Sequence, residues 1–336
     1  MPKILYLALI WLLFPFIVFC QSQIGSSIKV ISFVKKEKVL IRWAPNEPLA
    51  WKYANEYGYK ILRYTIVRDK KVLTKAEVKV INDVPIKPAP LNNWESDVKK
   101  DNYVAIAAQS IYGKYLEVDT KNSNLATIIN KSKEIENRFG FCLYSADRSL
   151  VAAKLSGLYF EDTDIKQNEK YLYKVYTIVP HNIIKVDTGF TYVDADKITT
   201  YPILRDVKAE FGDKRVAINW NADLFKAFYS GYFIEKSGDN GKNWQRINKD
   251  PYVIINNRNS DGRLYFQDSL AYNEKEYGYR IIGAGYFGEE GPPSKILRGK
   301  GKNSLPESPR ITQVLEVEKT KVKIEWSFPE SYNKDI

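Results

Sequence analysis

The sequence predicts a mostly β protein, built as tandem two-sheet β-sandwiches of which the first carries a partly helical insertion of about 71 residues. Three observations lead there. The hexapeptides KVLIRW (Lys38–Trp43), RVAINW (Arg215–Trp220) and KVKIEW (Lys321–Trp326) share one pattern, a basic residue followed by Val, Ile and Trp on alternate positions. A period of two with a recurring Trp is a strand with one buried face, used three times as the centre of similar cores. A second pattern follows in two of the copies. Phe160 and Tyr171 are separated as Phe266 and Tyr277 are, and Asp162 and Asp268 fall at the same place between them. Two anchors at equal spacing mark an internal repeat. Finally, the separation Trp43–Trp220 exceeds Trp220–Trp326 by about 71 residues, and Trp43–Phe160 exceeds Trp220–Phe266 by the same amount, which locates the insertion.

The elements follow in order. Ile28, Val30, Ile31, Phe33 and Val34 form a first strand, Lys35–Glu37 a turn, and Lys38–Trp43 the second strand. The run Ala44–Pro48 breaks the sheet, and Leu49, Trp51, Tyr53 and Tyr57 read as an aromatic loop before the strand Gly58–Arg68. Pro85, Pro88 and Pro90 mark where the chain leaves the sheet for the insertion at about 85–157. Within it, Trp94–Val118 has a helical pattern, Thr120–Lys133 reads as a polar loop, and Ile135–Leu155 reads as one or two helices. Ser149 has the side chain of a helix start and Gly157 the freedom of a helix stop. Tyr171–Pro180 and Ile183–Tyr192 read as the hairpin that closes the first unit.

The second unit repeats the order. Val207, Ala209 and Phe211 form one strand, Arg215–Trp220 the next and Gly231–Ser237 the third. The turn Gly238–Gly241 contains an Asn-Gly pair that accepts positive φ, and Trp244 and Ile247 open the return strand. These readings place a first domain at 24–195, a second at 200–299, and the first strands of a third at 308–336. Two strands cannot close a sandwich, so the third is read as truncated.

A chain of 336 residues with 44% hydrophobic content can bury two or three cores. A net charge of +11 favours acidic partners. The lysines, however, are scattered singly, as on solvated faces, and they form no concentrated stripe of the kind nucleic-acid binding requires. Lys3 followed by the apolar run Ile4–Cys20 reads as an export signal over residues 1–22, leaving no transmembrane span once it is removed. Cys20, at the end of that run, is a candidate lipid anchor, against which Phe19 counts because lipidation favours a small residue there. Cys142 is then the one remaining cysteine; it cannot form an internal disulfide and reads as a small buried hydrophobe.

At Trp220, Glu276–Tyr277, Tyr279, Ile281, Gly283, Gly288 and Gly291–Ser294, the second unit resembles fibronectin type III domains, which belong to the immunoglobulin-like sandwiches. The first unit matches at Trp43, Tyr171, Tyr173 and Val175, and the third only at the approach to Trp326. The chain as a whole resembles exported fibronectin-type-III repeat proteins of Bacteroidetes bacteria. The resemblance implies seven-stranded sandwiches in which Tyr277 is a tyrosine corner, pinning the connection between the sheets. The first unit lacks the closing Gly-Pro-Pro-Ser of the second.

Motifs for catalysis, metal binding and nucleotide binding are absent from the sequence: no HExxH, CxxC, GxSxG, GxGxxG or P-loop. The one histidine, His181, follows Pro180 in a turn with no nucleophile beside it. The Glu161–Asp162–Asp164 cluster reads as turn carboxylates rather than a calcium loop. No cofactor, metal or catalytic residue is therefore assigned. Binding is expected instead from aromatics on loops: Trp51, Tyr53 and Tyr57 in the first unit, Phe225, Phe228 and Tyr229 in the second, and Trp94, Tyr103, Tyr112 and Tyr115 on the insertion. The sequence thus points to a non-catalytic exported scaffold or interaction protein with a protein partner. The alternative is a carbohydrate-binding accessory region of a larger secreted glycan-active enzyme.

Overall fold

The computed structural model describes residues 25–114, 125–253, 261–303, 309–318 and 320–328. The export signal, Cys20 and Tyr115 lie outside them. The protein is mostly β, and its strands pair antiparallel in several sheets, none closed into a barrel.

In the first unit, β1 (Ile28–Val34), β2 (Val39–Pro45) and β5 (Tyr159–Asp162) form one sheet in the order β1-β2-β5. Strands β3 (Tyr59–Arg68), β4 (Lys71–Val80), β6 (Glu169–Thr177) and β7 (Gly189–Asp194) form a second, β4-β3-β6-β7. Alternation decides which face of the second sheet is inside: Tyr59 and Ile61 of β3 and Tyr171, Tyr173 and Val175 of β6 point into a core shared with Val39, Ile41 and Trp43 of β2. Strand β2 is buried from Val39 to Trp43 because it is covered on both faces.

The second unit repeats this plan. Strands β8 (Val207–Gly212), β9 (Arg215–Asn221) and β12 (Arg263–Ser269) pair as β12-β9-β8. Strands β10 (Tyr229–Ser237), β11 (Gln245–Arg246), β13 (Glu276–Gly285) and β14 (Leu297–Lys300) pair as β11-β10-β13-β14. The tryptophans are equivalent in detail. Trp43 meets Tyr59 edge-on at 5.7 Å, and Trp220 meets Tyr232 edge-on at 5.2 Å. The hydroxyl of Tyr171 accepts from the Lys166 N–H at 2.8 Å, and that of Tyr277 from the Tyr272 N–H at 3.2 Å.

Strands β15 (Arg310–Glu318) and β16 (Lys321–Ser327) pair with each other alone, and Trp326 is 62% exposed. Here Trp326 is not a core residue, because no second sheet covers it among the described residues.

Three local expectations are corrected. The segment around Trp51 is a helix, α1 (Pro48–Tyr57), rather than a loop. The strand runs through Pro45, and Pro48 is suited to the first helical turn, where its missing N–H costs nothing. Ala50, Trp51 and Ala54 then face inward, with Trp51 against Phe139 at 6.1 Å. The polar stretch 125–133 is also helical, part of α4 (Leu125–Arg148). Its Asn, Lys and Ser content signals a loop, and residues 129–133 are exposed; the helix they belong to is anchored further along, where Phe139, Cys142, Leu143 and Ala146 recur at helical spacing and pack. The closing hairpin is present, β6 pairing antiparallel with β7, but its second strand does not start at Ile183. That residue closes a turn by donating its N–H to the Pro180 carbonyl, and the strand begins only at Gly189.

The remaining helices are α2 (Glu95–Val98), α3 (Asn102–Tyr112) and α5 (Leu150–Leu155), all between β4 and β5. The Ser149 side chain accepts from the Ala152 N–H at 3.0 Å and so caps α5, while Gly157 at φ +68° lets the chain turn out of it.

This helical group also touches the second unit. Arg148 donates to Ser230 Oγ at 3.1 Å and to its carbonyl at 2.8 Å, and Tyr103 donates to Asp250 at 2.8 Å. Arg42 of β2 donates to Asp147 at 3.0 Å and to the Tyr286 carbonyl at 2.5 Å. A Cβ on Gly231 would stand 2.8 Å from Pro251 Cβ and 2.7 Å from Arg148 Nη1, so a larger residue there would have to displace both. Phe287 joins the first core, and the connecting segment is held by Thr199, which donates its N–H to the Val34 carbonyl and accepts from the Val34 N–H, both at 3.0 Å.

Candidate functional site

Four of the nine described aromatics expected on binding loops are buried in the fold: Trp51, Trp94, Phe225 and Tyr229. Trp94 donates its indole N–H to the Ala89 carbonyl at 2.8 Å. Tyr229 stacks on Tyr201 at 5.5 Å and donates to the Pro202 carbonyl, and burial pushes its hydroxyl up to about 12. Tyr53, Tyr57 and Tyr103 are half-buried, while Phe228 and Tyr112 are the more exposed of the set. Within the set, Trp94 meets Tyr112 edge-on at 6.2 Å and Phe225 lies 6.4 Å from Tyr229. Hydrophobic loops beside a core fold onto it, because apolar area removed from water contributes about 25 cal/mol per Å².

The acidic cluster is likewise engaged by the protein's own cations. Glu161 receives Lys38 at 2.6 Å, Asp162 receives Arg63 at 2.8 Å, and Asp164 receives Arg63 at 3.0 Å and Lys79 at 2.5 Å. The Lys38 ammonium, then the Tyr159 hydroxyl, hold the Glu161 carboxyl down to about 2. Among the described residues, no group of three or more His, Cys, Asp and Glu is placed to hold a metal. His181 is exposed in its turn.

The feature that stands apart is the outer face of the sheet β4-β3-β6-β7. Because β3 alternates, Lys60, Leu62 and Tyr64 point away from the core, as do Leu172, Lys174 and Tyr176 of β6. The register sets these in rows across the sheet. One row is Val80–Leu62–Lys174–Phe190, and the next is Val78–Tyr64–Leu172–Tyr192. Tyr176 lies beside Lys60. Val78, Val80, Phe190 and Tyr192 are each about half exposed or more, and the central residues are half-buried by one another.

The second unit supplies an internal control. There the corresponding row is Arg246–Glu235–Arg280, with Glu235 at 2.7 Å from Arg280 and 3.5 Å from Arg246. The guanidinium of Arg280 stacks on Trp244 at 4.2 Å, and that of Arg246 on Phe233 at 3.9 Å. The row of Tyr64, Leu172 and Tyr192 is matched by Ser237, Gly278 and Arg298. At these two rows the second unit's outer face is polar and ion-paired and the first unit's is apolar and aromatic; one row further on, the second unit sets Phe233 beside Ile282 where the first has Lys60 beside Tyr176. The sequence carried a signal for this in the segments YKILRYTIVR and EKYLYKVYT, where both parities hold large apolar residues. A strand with one wet face alternates; one that is apolar on both sides has two surfaces to cover.

The chain matches no protein-family model and no curated protein. Among solved structures it is similar to the beta-1,2-glucanase from Parabacteroides distasonis, at 16% identity and a TM-score of 0.24, over 44% of this chain and 18% of that one. The likeness thus spans less than a fifth of that enzyme. No helix among the described residues is long and apolar enough to cross a membrane.

Proposed function

We propose that the chain is a non-catalytic, exported interaction protein of fibronectin-type-III-like sandwiches, which docks a protein partner in the cell envelope or extracellular space through the outer face of β4-β3-β6-β7. The sandwich reading is supported by the three-plus-four strand plan of both units and by the matching hydroxyl-to-backbone bonds of Tyr171 and Tyr277. In this reading the helical insertion is a brace between the two sandwiches, and the docking surface lies on the sheet rather than on the insertion.

The observation that carries the docking role is the contrast between the two outer faces. Both sheets meet the same folding demand, and the second places Glu235, Ser237, Gly278 and Arg298 where the first has Leu62, Tyr64, Leu172 and Tyr192, so folding does not require those four to be apolar. A contiguous exposed apolar surface on one rigid sheet marks an interaction site. The four rings Tyr64, Tyr176, Phe190 and Tyr192 also favour a second reading, stacking on the sugars of a polysaccharide. The protein partner fits better, because Leu62 and Leu172 among the rings, and Val78 and Val80 on the edge strand β4, offer no side-chain hydrogen bonds to hydroxyls.

Grafting the second unit's residues onto the first tests this. Tyr64→Ser with Tyr192→Arg should leave the fold intact and abolish recovery, from native envelope, of a partner that the unsubstituted chain retains. Equal recovery would refute the docking role. Binding of neutral polysaccharides on a glycan array, lost in the same variant, would transfer the face to the second reading.

A further inference from the structure

We propose that the docked partner presents a carboxylate to Lys174, at the place that Glu235 holds in the second unit. This rests on the docking reading above and specifies the partner's chemistry.

The argument is positional. Glu235 is flanked across the sheet by Arg246 and Arg280, and Leu62 is flanked by Val80 and Lys174. Arg280 and Lys174 therefore occupy equivalent sites, as Glu235 and Leu62 do. In the second unit the pair is complete, with 2.7 Å between Arg280 and Glu235. In the first unit the cation is kept and its acid is a leucine. Lys174 has no ion pair among the described residues; its ammonium lies 5.5 Å from the Tyr176 ring centroid, among Leu62, Tyr176 and Phe190. Its neighbour Lys60 donates to the backbone carbonyls of Asn82 and Asp83, and Lys170 is already paired with Asp194 at 2.9 Å.

A surface that buried this face without an acid would strand the Lys174 ammonium in an apolar contact, which is strongly unfavourable. A carboxylate there would be desolvated and matched. A second copy of this chain is a poor occupant. Along the rows Val80–Leu62–Lys174–Phe190 and Val78–Tyr64–Leu172–Tyr192 there is no acid, and Asp194 further along β7 is already bound by Lys170, so two copies packed face to face would set lysine against lysine. A neutral glycan brings no charge. The fitting occupant is a protein surface with an acidic side chain inside an apolar ridge.

Carbodiimide coupling tests this, because it joins an amine to a carboxylate only where the two are in contact. The full chain is treated in its native envelope, and Lys174 adducts are mapped by mass spectrometry. The expected result is an amide between Lys174 and an Asp or Glu of another protein, lost in Leu62→Glu, where an internal acid restores the pair seen in the second unit. Lys174→Glu should lower recovery of that partner at least about tenfold. An adduct undiminished in Leu62→Glu, an adduct to a second copy of this chain, or no Lys174 adduct would each overturn the inference. If Lys174 never couples while the Tyr64→Ser, Tyr192→Arg graft still loses its partner, the docking reading stands and only the acidic contact falls. If the graft keeps its partner, both fall.

Discussion

Arg63 on β3 and Asp162 at the end of β5 form an ion pair of 2.8 Å between the sheets of the first unit, and both side chains are under a tenth exposed. Tyr173 donates to the same Asp162 oxygen at 2.7 Å, and the guanidinium lies 4.8 Å from the Tyr171 ring centroid. The second unit repeats every part of this: Lys236 to Asp268 at 2.7 Å, Tyr279 to Asp268 at 2.6 Å, and Lys236 at 5.1 Å from Tyr277. The aspartate shared by the two repeats therefore ties one sheet to the other. Asp162 also accepts from the Asp164 N–H at 3.0 Å, which closes the turn.

The two pairs differ in burial, and that sets different costs. Asp162→Ala leaves the buried Arg63 with only Asp164 and should destabilise by about 3–5 kcal/mol. Asp268→Ala acts on a pair with each side chain 22% exposed and should cost about 1 kcal/mol. Urea unfolding of the two variants reads the difference, and equal midpoints would contradict the burial argument.

Trp220 is fully buried, whereas Trp326 in the same sequence pattern is exposed. Trp220→Ala should cost about 3–5 kcal/mol through the cavity it leaves. Trp326→Ala should change the stability of this chain by less than about 0.5 kcal/mol, as surface substitutions do. Thermal unfolding distinguishes them.

The brace between the units depends on Arg148. Removing its bonds to Ser230 with Arg148→Ala should loosen the seam without unfolding either core. Small-angle scattering should then show a broader distribution of distances, and calorimetry should show two unfolding transitions where the unsubstituted chain has one. An unchanged scattering profile would show that Phe287 and the connecting segment hold the units unaided.

Glu161 makes stability depend on pH. Its folded carboxyl is depressed to about 2, below the unfolded value, so its contribution is complete above the unfolded range and fades as pH falls. The stability gap between the unsubstituted chain and Glu161→Gln should be full at about pH 6, shrink below about pH 4.5 and vanish near about pH 2. A gap that is constant over that range would mean that Lys38 and Glu161 do not interact.

Much of the fold was legible in residues with one dominant environment. Alternation found β2, β3, β6, β9 and β13, and the Asn240–Gly241 turn shows the positive φ values its composition demands. Legibility failed where one residue serves two purposes. Pro48, which reads as a breaker, starts a helix; the lysines and asparagines after residue 124 are part of α4. The aromatics around Trp51 do not reveal their environment because sequence shows the side chain without its neighbour: the partner of Trp51 is Phe139, far along the chain. The sheet face was legible in principle. Leu62, Tyr64, Leu172 and Tyr176 occupy the parity that a wet strand fills with polar residues.

Hydroxyl-radical footprinting of the chain, in its native envelope and in isolation, tests the docking face most directly. Phe190 and Tyr192 should oxidise readily in the isolated protein and be protected several-fold in the envelope. Tyr265 and Tyr272, exposed on the second unit, should label equally in both. Equal labelling of Phe190 and Tyr192 in the two settings would contradict the claim that a partner covers the outer face of β4-β3-β6-β7.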